Sequence, residues 1–509
     1  MSDTPSCIAL GATQTSPTGR WLALAVIVLA TLVGGGVRFA DLGGGGVWFD
    51  ELYTVRDLSN QNTGYSPTRW LGYQPTKLGL LAQGISAEDI PGRSYWAYQD
   101  AGVTMGKARL AACFIGVITI PLLAWGAWRP LGPGAAAVLA VLVALCVWNV
   151  SWSQTARFYT QVGLFGGLAV LFYLDAIKTG SRWRFAASTV MVVLAYLTHP
   201  PAILIGSAML CDALLQLARR RPLNYGRWGW GWGLGAIAVC VAVQGYEMLS
   251  DKRFRAFAGD EAEVYAQGAP EQSLPMIFVY VFVMLTPALI AAALIGFGLG
   301  RRHRAVWVLA FAALVPVLAV AALSVVGGAH GRYAYVSMVG WVGLAAVGLW
   351  FMANAMRERF GGLLSWSPAF VLGVAMLPAL GSYLTTGHRF IEPFHVALRA
   401  VEQRVGPGDV VFAERREIAQ YQLKREDVLP LPGRLSAMDE QAAGRPAWVF
   451  RLSANSRGRR DWGPAKDERM QLVFRDATAV WLPRREVSAY RLSPSVAPVN
   501  EVQEEGGSR

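Results

Sequence analysis

The stretch that decides the fold is AVWVLAFAALVPVLAVAALSVV, residues 305–326, which contains no charged side chain. A helix of this length covers the hydrocarbon core of a bilayer, for which about 17 to 25 apolar residues are needed. The same criterion predicts about eleven membrane helices over the whole chain. Their expected ranges are 21–40, 108–127, 134–150, 158–175, 185–198, 201–217, 230–248, 276–299, 305–326, 335–353 and 367–385.

The composition of the chain agrees with a polytopic α-helical membrane protein. Of the 509 residues, 54% are hydrophobic and only 16% are charged, which excludes an ordinary soluble enzyme. The five cysteines form no CxxC pair, so neither a disulfide framework nor a cysteine zinc site is indicated.

The net charge of +12 comes from basic residues that lie between the apolar runs, so it indicates membrane orientation and not nucleic-acid binding. Every second connection is rich in arginine, as at 219–221 and 301–304. By the positive-inside rule these connections and the N-terminus are cytoplasmic, whereas loop 41–106 and the tail face outward. The chain has many arginines and only six lysines, which suggests a GC-rich bacterial source and therefore the inner membrane.

The tail, residues 388–509, differs from residues 1–387 because it is rich in charge and alternates short strands with helices. An amphipathic stretch, 393–405, precedes a turn and the strand 410–413. We expect a small extracytoplasmic α/β domain that follows the transmembrane domain. Further strands are expected at 448–452, 479–482 and 487–492, and disorder from about residue 495.

Loop 41–106 is long for an outer connection and opens with a glycine run followed by Trp48, Phe49, Asp50 and Glu51. Its later aromatic residues are typical of interfacial helices. The adjacent carboxylates have two interpretations: Asp50 caps a short helix while Glu51 is solvated, or one of them acts as a base or metal ligand at the membrane surface.

A second polar element follows the third predicted span. In a helix, Gln154, Arg157 and Gln161 lie on one face, which makes a polar stripe at the outer mouth of the membrane. An isolated arginine here would simply reach toward lipid headgroups. The flanking glutamines favour a polar cavity.

Further cations fall on the same predicted membrane face. His330 and Arg332 lie in a glycine-rich outer loop, and Lys107 and Arg109 begin the second span. Each of these four residues alone is equally typical of an interfacial anchor. His199 is typical of a buried histidine at a helix junction broken by proline. Carboxylates together with several cations suit a substrate that has a phosphate leaving group and a nucleophile that must lose a proton.

At these residues the sequence resembles the polytopic GT-C glycosyltransferases of the protein-mannosyltransferase-like group, which includes the lipid A aminoarabinose transferases. The resemblance covers about residues 20–385, and its third piece matches the Ser-Gln-x-Ala-Arg-x-Tyr pattern typical of members. The four pieces are Phe49-Asp50-Glu51; Ala108-Arg109-Leu110 followed by 116–123; Ser153-Gln154-Thr155-Ala156-Arg157-Phe158-Tyr159; and Gly331-Arg332-Tyr333.

The resemblance implies transfer of a sugar from a polyprenyl-phosphate donor to an extracytoplasmic hydroxyl, with inversion at the anomeric carbon. Asp50 would be the general base and Glu51 would assist it. Arg157 and Arg332 would stabilise the departing phosphate. The other residues expected at the donor phosphate or lipid are Lys107, Arg109, Gln154, Tyr159, His330 and Tyr333.

This chain departs from the family at two points. Many members have Glu at the position of Thr155, and a His-Pro-Pro element in the first loop, where this chain has Gln74-Pro75-Thr76. A divalent metal at Asp50 or Glu51 is compatible with the residues, but the sequence offers no complete ligand set.

Two alternatives from other classes remain open at this stage. A transporter or flippase for a lipid-linked saccharide would also use arginines near the headgroup plane, although no pair of matching interrupted helices indicates one. A polysaccharide polymerase or ligase would take an oligosaccharide donor in place of a monosaccharide donor.

Overall fold

The computed structural model describes residues 17–44, 46–59, 70–220, 223, 226–250, 274–325, 330–360, 366–386, 394–453, 468–477 and 486–493. The predicted strand at 479–482 and the tail beyond residue 495 lie outside these residues. Helices dominate the part of the chain that precedes residue 387, and strands occur after it.

The first nine α-helices include two short ones inside loop 41–106. In chain order they are α1 (Pro17–Phe39), α2 (Phe49–Leu58), α3 (Trp70–Leu81), α4 (Met105–Leu131), α5 (Pro133–Leu145), α6 (Val147–Ser153), α7 (Tyr159–Thr179), α8 (Arg182–Thr198) and α9 (Leu204–Ala218).

Among the described residues, six further helices follow before residue 387, and four short 3-10 turns connect elements elsewhere. The helices are α10 (Gly226–Ser250), α11 (Leu274–Leu285), α12 (Pro287–Gly300), α13 (Arg304–Val325), α14 (Met338–Phe360) and α15 (Ser367–Thr386). The 3-10 turns are Tyr95–Ala97, Pro200–Ile203, Gly331–Ser337 and Glu402–Arg404.

Among the described residues, seven helical segments are long and apolar enough to cross a membrane, or up to nine if each of two bent pairs counts as one span. A multi-pass membrane protein is therefore confirmed, with fewer spans by this criterion than the eleven expected. The difference lies at two predicted spans. Helix α8 has only 17 residues, and the apolar part of α10, Gly231–Gln244, is also short.

The two bent pairs break inside the apolar region. Helices α5 and α6 meet at Cys146 with a bend of 58°, and α11 and α12 meet at Thr286 with a bend of 91°. Each break interrupts the backbone hydrogen-bond ladder, and in a membrane the freed carbonyls need other donors. The α5–α6 break therefore requires polar partners from elsewhere in the fold.

Helix α7 lies at the centre of the bundle, because 89% of its apolar window is buried. It packs against α4 and α8 and begins at Tyr159. The polar stripe predicted on one helix is therefore divided, because Gln154 and Arg157 lie in the turn before α7 and only Gln161 lies on α7. Most other spans bury about half of their windows or less, and their exposed leucine, valine and phenylalanine side chains are typical of lipid-facing surfaces.

The C-terminal part forms a five-stranded sheet with helices α16 (Phe394–Val401), α17 (Arg416–Leu423) and α18 (Leu435–Ala442). Strand order is β2-β1-β3-β5-β4, in which β1 runs parallel to β2 and β3, and β5 antiparallel to β3 and β4. The strands are β1 (Val410–Ala413), β2 (Val428–Pro430), β3 (Ala447–Ser453), β4 (Met470–Ala477) and β5 (Glu486–Leu492).

Strands β1, β3 and β5 occupy positions expected from the sequence, whereas β2 and β4 were missed. Alternate residues of β1 lie in two different cores. Val411 packs in the large core together with α16, and Phe412 in a smaller one with Met438 of α18. The sheet is therefore covered by helices on both faces.

Close packing of α12 on α14 depends on glycine. A Cβ atom on Gly296 would overlap the Leu344 carbonyl oxygen, whereas one on Gly298, on the same helix, would meet nothing within 4 Å. We expect Gly296→Val to destabilise the protein by about 1–3 kcal/mol through overpacking and Gly298→Val to have little effect. Thermal unfolding in one detergent measures both, and equal melting temperatures would contradict the packing.

Candidate active site

A fully buried ion pair anchors the start of α2. Both Glu51 and Arg109 have side chains with 0% exposure, and Arg109 Nη2 lies 2.7 Å from Glu51 Oε2. Arg109 Nε also donates to Glu51 Oε1 at 2.8 Å, so the contact is bidentate. Such a forked contact fixes direction as well as distance. It therefore fixes α2 relative to α4.

The remaining hydrogen bonds of Glu51 tie three chain segments together. The backbone N–H of Trp48 donates to Oε2 at 3.1 Å, and the backbone N–H of Ala156 donates to Oε1 at 2.8 Å. Arg109 in turn donates to the carbonyls of Leu42 and Gly46. Glu51 is thus saturated by its own protein, which leaves the neighbouring Asp50 as the carboxylate available for chemistry.

Asp50 lies between two guanidinium groups. Its Oδ2 accepts a hydrogen bond from Arg332 Nη1 at 3.0 Å and lies 3.9 Å from Arg157 Nη2. Arg157 Nη1 also donates to the Asp50 carbonyl and to the Thr54 hydroxyl, at 3.1 and 2.8 Å. The three charged groups come from α2, the segment after α6 and the 3-10 turn before α14, which are far apart in the sequence.

Aromatic rings line the two arginines. The guanidinium carbons of Arg332 and Arg157 lie 5.1 and 5.7 Å from the centre of the Trp48 ring, which is within the range of cation–π attraction. Arg157 also lies over Phe158 at 4.5 Å. These flat apolar surfaces hold the cations without neutralising them.

Each of the two arginines has one buried donor that is not satisfied. The Nε atoms of Arg157 and Arg332 have no hydrogen-bond partner among the described residues. A buried guanidinium N–H without an acceptor costs free energy, so native structures seldom keep one without a reason. Two cations and one carboxylate leave this cluster with one excess positive charge.

The other predicted residues have different surroundings. Gln154 donates through Nε2 to the carbonyls of Val37, Arg38 and Ala40 at the end of α1. Lys107 Nζ donates to the carbonyl of Gly102 at 2.9 Å. The structure therefore engages both side chains with backbone groups of neighbouring loops and helix ends, outside the Asp50 cluster.

Three predicted aromatic or imidazole residues join the cluster. The Tyr333 ring lies 5.7 Å from His330 and 5.3 Å from His199, and Tyr159 lies 5.4 Å from His199. Tyr159 also stacks on Trp152 at 4.0 Å. His199 is buried within this aromatic group, which agrees with the interpretation of a core histidine at a helix junction.

A metal site does not fit the described residues. No group of three or more His, Cys, Asp or Glu side chains among them is arranged to hold a metal ion. Both oxygens of Glu51 already accept hydrogen bonds, so Glu51 offers no ligand beside Asp50.

Sequence reasoning missed two residues of the site and one buried arginine outside it. Trp48 and Thr54 contact the arginines directly, and Arg38 lies fully buried at the end of α1. Trp48 and Thr54 carry no signal in the sequence beyond their closeness to Asp50. A signal for Arg38 did exist, because a charge inside an apolar span is costly and usually has a function.

The C-terminal helix α17 packs beside α2. Tyr53 Oη donates to Glu417 Oε1 at 3.1 Å, and the Arg415 guanidinium lies 4.5 Å from the Phe49 ring centre. Burial and the Glu417 charge raise the pKa of Tyr53, so its phenol remains a donor. Tyr421 accepts a hydrogen bond at Oη from the backbone N–H of Met105, the first residue of α4. The C-terminal helix α17 thus contacts both helices that carry the Glu51–Arg109 pair.

The chain has the polytopic helical fold of the GT-C type that the sequence resemblance implied. The match is to the crystal structure of apo ArnT from Cupriavidus metallidurans, a lipid A aminoarabinose transferase, with a TM-score of 0.50 at 15% identity. It covers 92% of this chain and 98% of the ArnT chain.

Two other solved structures are similar. ArnT from the same organism bound to undecaprenyl phosphate gives a TM-score of 0.49 at 16% identity, covering 93% of this chain and 98% of that one. The Archaeoglobus fulgidus oligosaccharyltransferase AglB, in complex with an inhibitory peptide and a dolichol-phosphate, gives 0.48 at 12% identity, covering 85% and 70%. No family model and no curated protein matches the sequence.

The buried ion pair predicts a large stability effect. Glu51→Gln leaves Arg109 as an uncompensated buried charge, so we expect a loss of about 3–5 kcal/mol. The matched control is Lys424→Ala, which removes an exposed pair with Asp100 (52% and 66% exposed side chains) and should cost about 1 kcal/mol or less. Denaturation in detergent compares them, and equal losses would contradict a structural role for the pair.

His330 predicts a pH dependence. Burial, together with the Arg332 charge, lowers the pKa of His330 from its ordinary value of 6.5 to about 4. Between these values the unfolded chain binds a proton that the folded protein does not, so the free energy of unfolding decreases as the pH falls from 6.5 to 4. His330→Gln should flatten this decrease in melting temperature; an unchanged slope would contradict a neutral, partly buried imidazole in the folded protein.

Proposed function

We propose that this protein is a membrane glycosyltransferase that moves a sugar from a polyprenyl-phosphate-linked donor to a hydroxyl of an extracytoplasmic acceptor. The fold agrees with this activity, because ArnT is a transferase of the same architecture. The observation that carries the proposal is the placement of the Asp50 carboxylate between Arg157 and Arg332, each with an unsatisfied buried donor.

The two arginines suit a phosphate ester better than a neutral ligand. Together with Asp50 they leave one excess positive charge, since the Glu51–Arg109 pair is balanced on its own. A phosphate entering this cluster would compete with Asp50 for the guanidinium groups and would satisfy the two Nε donors. The phosphate of the donor would then supply the negative charge that balances the second arginine.

In the proposed reaction the acceptor oxygen attacks the anomeric carbon while the bond from that carbon to the phosphate oxygen breaks. The acceptor proton passes to Asp50, and the bonding electrons leave with the lipid phosphate. Arg157 and Arg332 stabilise the charge on the departing phosphate, so no general acid is required. Attack opposite the leaving group inverts the anomeric configuration.

We assign positioning roles to Glu51 and Arg109 in place of the direct roles expected from the sequence, because their hydrogen bonds are internal. Lys107 and Gln154 bind backbone carbonyls and would support loops and helix ends near the site. The proposal keeps the other donor-binding assignments, which are those to Tyr159, His330 and Tyr333.

The proposed orientation has a cytoplasmic N-terminus in a bacterial inner membrane. Residues 1–387 would form the catalytic transmembrane domain, and residues 388–509 a periplasmic α/β domain. The clustering of the end of α1, the start of α7 and the turn before α14 supports a single outward face, because all three lie at predicted outer connections. Contact of α17 with α2 supports placing the sheet on that same face.

Binding of undecaprenyl phosphate tests the site. Arg157→Gln and Arg332→Gln should each weaken binding roughly 10- to 100-fold, the scale of a charge-assisted hydrogen bond. Asp50→Asn should bind as well as wild type or better, because it removes the competing anion, yet lose transfer of sugar from lipid-linked donors in proteoliposomes. Arg56→Gln, on the same helix but paired with Asp57, is the matched control.

Two outcomes would overturn the proposal. Undiminished transfer by Asp50→Asn removes that carboxylate from catalysis. Movement of the intact lipid-linked sugar across the bilayer, without a new glycosidic bond, would make the protein a transporter.

A further inference from the structure

Arg38 is an arginine buried near the end of an apolar helix without a counter-ion among its hydrogen-bond partners. Its side chain is fully buried, and every one of its five hydrogen bonds goes to a neutral group. These acceptors are the carbonyls of Gly34 (2.9 Å), Val143 (3.0 Å) and Ala144 (3.1 Å), the Asn149 amide oxygen (3.1 Å) and the Ser153 hydroxyl (3.2 Å). Burying a charge in this way is costly, which calls for a compensating role.

Four of the five acceptors lie on the two sides of the α5–α6 break, and the fifth, the Gly34 carbonyl, lies on α1 itself. Val143 and Ala144 are in the last turn of α5, whose carbonyls lose their helical partners at the 58° bend. Asn149 and Ser153 lie on α6. One planar guanidinium with five donors can satisfy both sides at once, so Arg38 stabilises the bent form over a continuous helix.

A second contact runs in the opposite direction between the same two elements. Gln154, directly after α6, donates to three carbonyls at the end of α1. Arg38 therefore satisfies the open end of α5, and Gln154 satisfies the open end of α1. This reciprocal arrangement, which we call the α1–α6 latch (Arg38 and Gln154), fixes the direction in which the chain leaves α6.

The neighbouring glycine leaves room for the latch. A Cβ atom on Gly116 of α4 would overlap the Ser153 hydroxyl and lie 3.2 Å from Arg38 Nε. Even one methyl group at this position would displace the side chains that join α1 to α6.

The residues after the latch enter the candidate site. The Ala156 N–H reaches Glu51, and the Arg157 guanidinium reaches Asp50 and Thr54. We propose that Arg38 is a positioning residue for sugar transfer: it holds the break between α5 and α6 so that Arg157 faces Asp50. This inference rests on the proposed glycosyltransferase function.

Arg38→Met and Arg38→Lys test the inference. Because a displaced Arg157 no longer faces Asp50 and the donor phosphate, we expect Arg38→Met to lower kcat at least tenfold and to raise the donor KM in the same direction as Arg157→Gln. Lysine keeps the charge but not the planar fork, so Arg38→Lys should recover part of kcat. Gly116→Ala should lower kcat in the same way without touching Arg38, and it decides the question if Arg38→Met does not fold.

The matched control is Tyr173→Phe, which removes a buried hydrogen bond to Asp212, between α7 and α9 and away from the latch. It should lower the melting temperature with little change in kcat. Arg38 and Gly116 variants that lose stability but keep wild-type kcat, as the control does, would overturn the positioning role. If the wild-type protein binds undecaprenyl phosphate but transfers no sugar, the proposed glycosyltransferase function is overturned instead. Failure of the Arg38 role and failure of the proposed function therefore give different results.

Discussion

The buried ion pair between Glu51 and Arg109 is the constraint on which the rest of the site depends. It joins α2 to α4, and the spare lone pairs of the carboxylate bind the backbone at Trp48 and Ala156. A carboxylate fixed in four directions cannot rotate, so the adjacent residue, Asp50, has a fixed direction as well. The cost of dehydrating two charges is offset only because nearly every polar atom of the pair is matched. The position of Asp50 therefore depends on the complete hydrogen bonding of the adjacent Glu51.

Hydropathy and alternation predicted much of the fold. The apolar run 305–326 corresponds to α13, and the short apolar strand Val410–Ala413 has the predicted bounds. The prediction was weaker where an element depends on its neighbours. Strand β4 was missed because it is an edge strand, half exposed, whose partner β5 lies beyond an intervening segment. The break at Cys146 carries no proline or glycine, and the side chain that donates to the carbonyls beside it, Arg38, lies more than a hundred residues away.

The site shows the same division between local and distant information. Residue type and chain position placed Asp50, Arg157 and Arg332 on one predicted face, and the structure brings these three together. The same reasoning could not separate Arg157 from Arg109, because both are arginines near the ends of spans. Their hydrogen bonds distinguish them. Arg109 pairs with a carboxylate whose hydrogen bonds are complete, whereas the Arg157 Nε has no acceptor among the described residues. Such partners are set by tertiary packing, which a single sequence does not display.

The contact of Tyr53 with Glu417 has a consequence for how the molecule is made. The two residues are 364 positions apart, and Met105 and Tyr421 are 316 apart. During synthesis, α2 and α4 leave the ribosome long before α17 is made. One side of the helix that carries Asp50 is therefore uncovered until α17 has been synthesised. Docking of α17, which is synthesised after both helices, covers that side of α2. A chain truncated before residue 416 would thus lack the contacts that support the helix carrying Asp50.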